Sequence, residues 1–298
     1  MTEEEAPQDD PSNDLWHLLD GGWELPVADS LIAAVDVAQS APDPTDTSFV
    51  LALDANVLLN LGKGRTGADV IDYLSQIHDG PLIVPSQTLL EFWNNHLNSI
   101  SGVADRLRDT FGRLEGQVKD LDPTYKELGD GAQELLDTFH GRFGHVLEER
   151  VSGELKNLLV AISKKAVVPQ LPRSEFAEIA DVRKAAKVPP GFKDEQHGDF
   201  FVWAELLLGV RLQADMDVVI TRVVLVTDDK KSDWSTKGTT HPYLVAEMSA
   251  WAGASFETWT LADFQSFVKG VIAPPLAPPD KAEATKAPAT DTTAQQTG

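Results

Sequence analysis

Apolar residues fall in two rhythms along this chain. Phe49–Leu53, Leu82–Val84 and Val223–Val226 are short apolar runs bounded by polar residues, and Ser255–Trp259 reads as a fourth, which predicts four strands. Helical patterns lie between and after them, at about 67–78, 86–118, 198–213, 242–252 and 261–270. Short apolar strands alternating with helices predict βαβ units around a parallel sheet buried on both faces, an α/β fold. From 123 to 187 the pattern is charged and amphipathic without a convincing strand, which predicts a long helical insertion at about 120–187.

The two ends have a different texture. Residues 1–14 and 273–298 are rich in Pro, Thr, Ala and charge, with little to bury, and disorder is expected in both. Between 15 and 46, Trp16, Leu18, Trp23, Leu31, Ile32 and Val35 allow a short helix after Ser30 to dock on the body. The expected organisation is therefore an acidic, largely disordered extension over 1–46, a body over 47–272, and a disordered tail over 273–298. No internal repeat is visible.

Composition narrows the function classes. With 298 residues, 42% of them hydrophobic, the chain can bury one sizeable core. It has no cysteine, which excludes disulfides, thiolate metal sites and a Cys nucleophile, and fits a cytoplasmic setting. Residues 1–14 lack a basic start followed by an apolar stretch, so no secretory signal is expected. Apolar runs such as Leu206–Val210 fall far short of the roughly 18–20 residues of a membrane span, so no membrane association is expected.

The formal charge of −22 is unfavourable for binding phosphate, but its distribution changes that picture. Residues 1–46 hold twelve acids and no Lys or Arg, and the tail adds −1, which leaves −9 on the body. Seven of the body's acids (Asp54, Glu91, Asp194, Asp199, Asp228, Asp229 and Asp233) fall in four local motifs.

In LALDANVLLNL, Asp54 directly follows a buried strand, at the edge where open α/β sheets bind ligands, and Asn56 can orient it. An Asp in that place equally serves to cap the next helix. In IVPSQTLLEFWNNHL, Ser86 can cap a helix whose second turn carries Glu91 among apolar neighbours. A buried carboxylate there needs a cation or a strong donor. In PPGFKDEQHGDFFVWAELLL, Asp199 opens an apolar helix as site acid or cap, Asp194 lies in a Pro/Gly-bounded loop, and His197 reads as a loop histidine. In VVLVTDDKKSDW a buried strand runs into Thr227, Asp228 and Asp229, of which one acid faces the pocket. Lys230 and Lys231 follow, and with Lys193 they can meet phosphate.

Acids gathered at one sheet edge repel each other, and a divalent cation resolves the conflict. Hard oxygen donors, without Cys or paired His, suit Mg²⁺ or Mn²⁺. Such ions support phosphodiester hydrolysis.

These motifs resemble those of PIN-domain nucleases. LDANVLL, the Glu91 helix, GDFFVW and TDDKKSDW are similar in particular to a bacterial PIN-like group with PPGFKD, GD…W and TDDKKDW-type signatures, over about residues 47–262. The resemblance implies a three-layer α/β/α fold, Mg²⁺ or Mn²⁺, and endonucleolytic cleavage of single-stranded RNA. It carries catalytic roles to Asp54, Glu91, Asp199 and an Asp of the TDD turn, and its Thr-x-Asp pattern favours Asp229 over Asp228. Both remain candidate metal ligands, while Asp194 and Asp233 match further acids of the group, with Asn56 and Thr227 beside them. The acidic 1–46 segment lies outside the shared pattern. It is either a solubilising tail, a dock for a protein partner, or an autoinhibitory cover over a basic rim of Lys63, Arg65, Lys193, Lys230 and Lys231.

Other classes compete. A P-loop or dinucleotide enzyme needs a Gly-rich turn after its first strand, and DANVLL has none. A non-catalytic PIN-like interaction module would be expected to lose acids, and every motif keeps one. A DNA-directed nuclease would call for a duplex-binding helix-hairpin-helix element, which is not seen. Oligomer formation stays open.

Overall fold

A computed structural model describes residues 11–38, 43–61, 67–95, 113, 116–117, 130–131, 134 and 155–273. Five parallel strands form its centre: β1 (Val50–Leu53), β2 (Leu82–Ile83), β3 (Ala166–Val167), β4 (Arg222–Val226) and β7 (Ser255–Trp259), in the order β3-β2-β1-β4-β7. β5 (Ser235–Thr236) and β6 (Thr239–Thr240) make a small antiparallel hairpin.

Side chains alternate across each strand, and the two resulting sets seed two cores. Val50, Ala52, Ile83, Val223, Leu225 and Phe256 point to one face. There they meet α1 (Pro11–Leu19), α7 (Arg173–Ala186), α8 (Gly198–Ala214) and α9 (Pro242–Ala252). Leu51, Leu53, Leu82, Val84, Val224 and Val226 point to the other. That face carries α3 (Ala55–Leu61), α4 (Gly67–Asp72) with a π turn at Tyr73–Ile77, α6 (155–165) and α10 (Leu261–Ile272). α5 (86–95) follows β2, and α2 (Val27–Ala38) packs against α9 and β6. The architecture is three-layer α/β/α, as expected. α8 is apolar nearly all round and is buried accordingly, with Trp203, Leu206, Leu207 and Val210 fully enclosed.

Two expectations need correction. The stretch read as strandless contains β3, which pairs with β2 through Leu82↔Ala166 and Ile83↔Val167. Its neighbour α7 buries Phe176, Ile179 and Ala180 in the core, so 155–187 is part of the body rather than a projecting insertion. Most of 96–154 lies outside the described residues. The second correction concerns 1–46. Over 11–38 it is two helices, and Leu15, Leu18 and Leu19 of α1 are buried in the main core. The sparse apolar residues of PSNDLWHLL share one helix face, which composition alone does not show. α2 begins at Val27, before Ser30. Residues 1–10, residues 62–66 with Lys63 and Arg65, and residues 274–298 lie outside the described residues. Among the described residues no helix is long and apolar enough to cross a membrane.

A buried ion pair joins the α1 side of the core to the loop before α8. The Arg183 guanidinium donates to both Glu247 oxygens (2.6 and 3.1 Å), to the Leu19 carbonyl (3.1 Å) and to the Pro189 carbonyl. The Trp203 indole donates to the same Glu247 carboxylate at 2.7 Å.

Candidate active site

Strand order reverses at β1, because β2 lies on one side of it and β4 on the other. Open α/β sheets bind ligands at the carboxyl edge of such a switch point. Asp54 ends β1 there, and its backbone N–H donates to Val226 of β4. An open cleft of about 500 Å³ lies at this edge, and its walls include Asp54, Glu91, Asp194, Asp199, Asp229 and Lys231.

Each acid reaches the cleft by a definite local device. Asp54 Oδ1 accepts the N–H of Ala55, the first residue of α3, at 2.6 Å. Its Oδ2 accepts the Thr227 hydroxyl (2.6 Å) and the Asn56 amide (2.7 Å). Thr227 in turn accepts the Asp229 N–H at 3.0 Å, which fixes the TDD turn. Burial raises the Asp54 pKa, and the Thr227 and Ala55 bonds offset this only in part.

Glu91 projects from α5, with Gln87 donating to its Oε1 at 2.7 Å. Burial is again the main force raising its pKa, and Asp54 and Asp194 add to it. Gly198 gives Glu91 its room. A Cβ at 198 would stand 2.4 Å from Glu91 Oε1 and 3.2 Å from Asp194 Oδ2, so a glycine lets two carboxylates share one space at the start of α8.

Asp199 is freed from capping its own helix by Asp194, whose Oδ2 accepts the Asp199 N–H at 3.3 Å. The Asp199 carboxylate meets the Lys231 ammonium at 2.7 Å. Burial pushes Asp199 up to about 7, with Lys231 pulling the other way. Lys231 also lies 3.1 Å from Asp229 Oδ2 and 4.0 Å from Asp194 Oδ1. Burial opposes its charge, but the bonds to Asp199 and Asp229 prevail and raise its pKa. Lys231 is therefore inside the acid set rather than on an outer basic rim. Lys193 and Lys230 are exposed and do not line the cleft.

Two acids of the motifs go elsewhere. Asp228 turns toward α10, accepting the Leu261 N–H at 2.9 Å and the Asn60 amide at 3.3 Å, so it is set apart from the cleft. Asp233 is fully buried and accepts the N–H groups of Gly191 and Lys193, pinning the PPGFKD loop that carries Asp194. His197 pairs with Asp181. Among the described residues no three His, Asp or Glu side chains stand close enough to form a ready cage for a metal ion. Lys231 stands between Asp199 and Asp229, and Asp54 is held by its own donors.

Residues 50–246 match the family model of a PIN-like domain. The chain belongs to the PIN-like domain family. This family lies within a nuclease superfamily, and the fold accords with it. The searches of curated proteins and of solved structures each return no match.

One residue that positions this PIN-like site was not singled out from the sequence. Glu205, buried in the middle of α8, accepts the Ser86 hydroxyl and the Gln87 N–H, both at 2.8 Å. It therefore anchors the start of the helix that carries Glu91. It also pairs with Arg173 at 2.9 Å. Its signal was present: a lone acid inside FFVWAELLLGV must find buried donors.

Proposed function

We propose that this PIN-like domain is a divalent-metal-dependent endoribonuclease hydrolysing phosphodiester bonds of single-stranded RNA. The observation that carries the reading is the single cleft at the β1/β4 switch point, with Asp54, Glu91, Asp199 and Asp229 all in its walls and Asp194 beside them. The donor set fits a hard cation: carboxylate oxygens alone, an Asp54 Oδ1 with one donor bond, and a Gly198 cradle that keeps Glu91 and Asp194 close.

Asp54, Glu91, Asp199 and Asp229 would hold Mg²⁺ or Mn²⁺, with Asp194 as a further ligand. When bound, such an ion lowers the pKa of water and offsets negative charge at the leaving oxygen. The chain's own groups do the rest. Thr227 and Asn56 keep Asp54 at one orientation, Gln87 and Glu205 do the same for Glu91, and Asp194 leaves the Asp199 carboxylate directed at the cleft. The amides of Gln87, Asn94, Asn95 and Gln196 also line the walls, a polar surface suited to ribose hydroxyls and base edges. That the substrate is single-stranded comes from the family resemblance, as does the preference for RNA over DNA.

The test is cleavage of end-labelled single-stranded RNA and DNA by the purified full chain in Mg²⁺, Mn²⁺ or EDTA. Metal-dependent internal cuts in RNA support the reading. Cuts in DNA alone make it a DNA-directed nuclease, and no cutting with any metal favours an interaction module.

A further inference from the structure

Lys231 is the only cationic side chain lining the cleft among the described residues. Its ammonium touches Asp199 at 2.7 Å and Asp229 at 3.1 Å, with Asp194 at 4.0 Å. Its backbone N–H is bonded to Asp229 Oδ1 at 2.9 Å, so the base of the side chain is fixed to the same turn that presents Asp229. The side chain remains one-third exposed, which leaves the flexible stem a way out toward solvent. The acids around it are crowded enough to repel one another, yet they form no cage of three. The ammonium stands between two of the carboxylates that would hold a divalent ion.

We infer that Lys231 is a built-in counter-ion of the metal-free site, and that a divalent cation enters by displacing its ammonium from Asp199 and Asp229. Metal binding is then an exchange. One tethered positive charge leaves the carboxylates and a doubly charged ion takes its place. Two consequences follow. The lysine keeps the acids from spreading in the absence of metal, and it weakens apparent metal affinity because its own contacts must be broken first. The displaced ammonium stays tethered beside Asp229, at the rim of a cleft that must receive an anionic strand. This inference rests on the proposed metal-binding role of the acid set.

Two measurements on the full-length protein test it. In the wild type, acylation of Lys231 by an amine-reactive reagent, followed by peptide mass spectrometry, should rise several-fold from EDTA to saturating Mg²⁺. The exposed Lys193 and Lys230 provide the baseline, and labelling of Lys231 that is unchanged or lower in Mg²⁺ overturns the exchange. In calorimetric titration with Mn²⁺, Lys231→Met should bind about tenfold tighter or more than wild type, because a competing cation a few ångströms away is gone. Lys231→Arg, which keeps the charge, should bind no tighter than wild type. Equal or weaker Mn²⁺ binding by Lys231→Met overturns the inference, and the labelling decides it if that variant fails to fold. A wild type that binds neither Mg²⁺ nor Mn²⁺ removes the proposed function itself, whereas one that binds metal without releasing Lys231 removes only the exchange.

Discussion

The Thr227 hydroxyl donates to Asp54 Oδ2 across 2.6 Å, joining the carboxyl ends of β4 and β1 through two side chains. The Thr227 hydroxyl oxygen also accepts the Asp229 N–H, so one hydroxyl orients two acids of the site. Thr227→Val keeps the shape and removes both bonds. Cleavage is expected to fall roughly 10–100-fold, as for other small misplacements of reacting groups. The stability cost is about 1–3 kcal/mol, for buried groups left unpaired. Thr227→Ser should recover most of the activity, and single-turnover rates with thermal melts of the three proteins check this.

Gly198→Ala places a Cβ 2.4 Å from Glu91 Oε1. That oxygen ends a flexible side chain, so the fold should survive with a stability change within about 1 kcal/mol, while Ala is the better helix former. Glu91 must move, and activity and Mn²⁺ affinity should fall together. A fully active Gly198→Ala protein would mean that the position of Glu91 is immaterial.

His78 gives the protein a pH dependence away from the acids. It is buried, its Nδ1 meets the Tyr73 hydroxyl at 3.0 Å, and burial holds its pKa down at about 4. An unfolded His titrates near 6.5, so between the two values the unfolded chain binds more protons. His78 therefore contributes full stability above about 6.5 and loses it as pH falls toward 4. The loss amounts to about 3 kcal/mol across the window. Urea unfolding of wild type and His78→Gln at pH 7.5, 6, 5 and 4 should show the stability difference between them shrinking or reversing in the acidic half. A constant difference would show that His78 does not titrate there.

Arg183→Met leaves the buried Glu247 carboxylate with the Trp203 indole but without its countercharge, and takes the guanidinium donor from the Leu19 and Pro189 carbonyls, so it should cost about 3–5 kcal/mol. Deleting residues 1–38 should be at least as damaging, because it strips Leu15, Leu18 and Leu19 from the core. A solubilising tail or a detachable cover would allow that deletion with the fold intact. Urea unfolding of the point variant and the heat-induced melt of the truncated protein measure both effects.

The strands at the site were legible because β1 and β4 carry apolar runs that end abruptly in polar residues. β3 was not, because two half-buried residues at the sheet edge leave almost no pattern. Asp54, Glu91, Asp199 and Asp229 were legible from where acids interrupt apolar runs or follow strands. The destinations of Asp228 and Asp233 were not. Both lie in the same charged turn as Asp229, and only packing shows that one accepts the first N–H of α10 while the other holds the PPGFKD loop. α1 was hidden because its acidic surroundings suggested disorder, although Leu15, Leu18 and Leu19 recur at the spacing of one helix face.

Cleavage of labelled single-stranded RNA by wild type, Asp54→Asn and Asp199→Asn, each in Mn²⁺ and in EDTA, tests the central claim most directly. Metal-dependent internal cutting by the wild type, abolished in both variants while each stays folded in a thermal melt, is the predicted result. Cutting that persists in EDTA, or full activity in either folded variant, would contradict it.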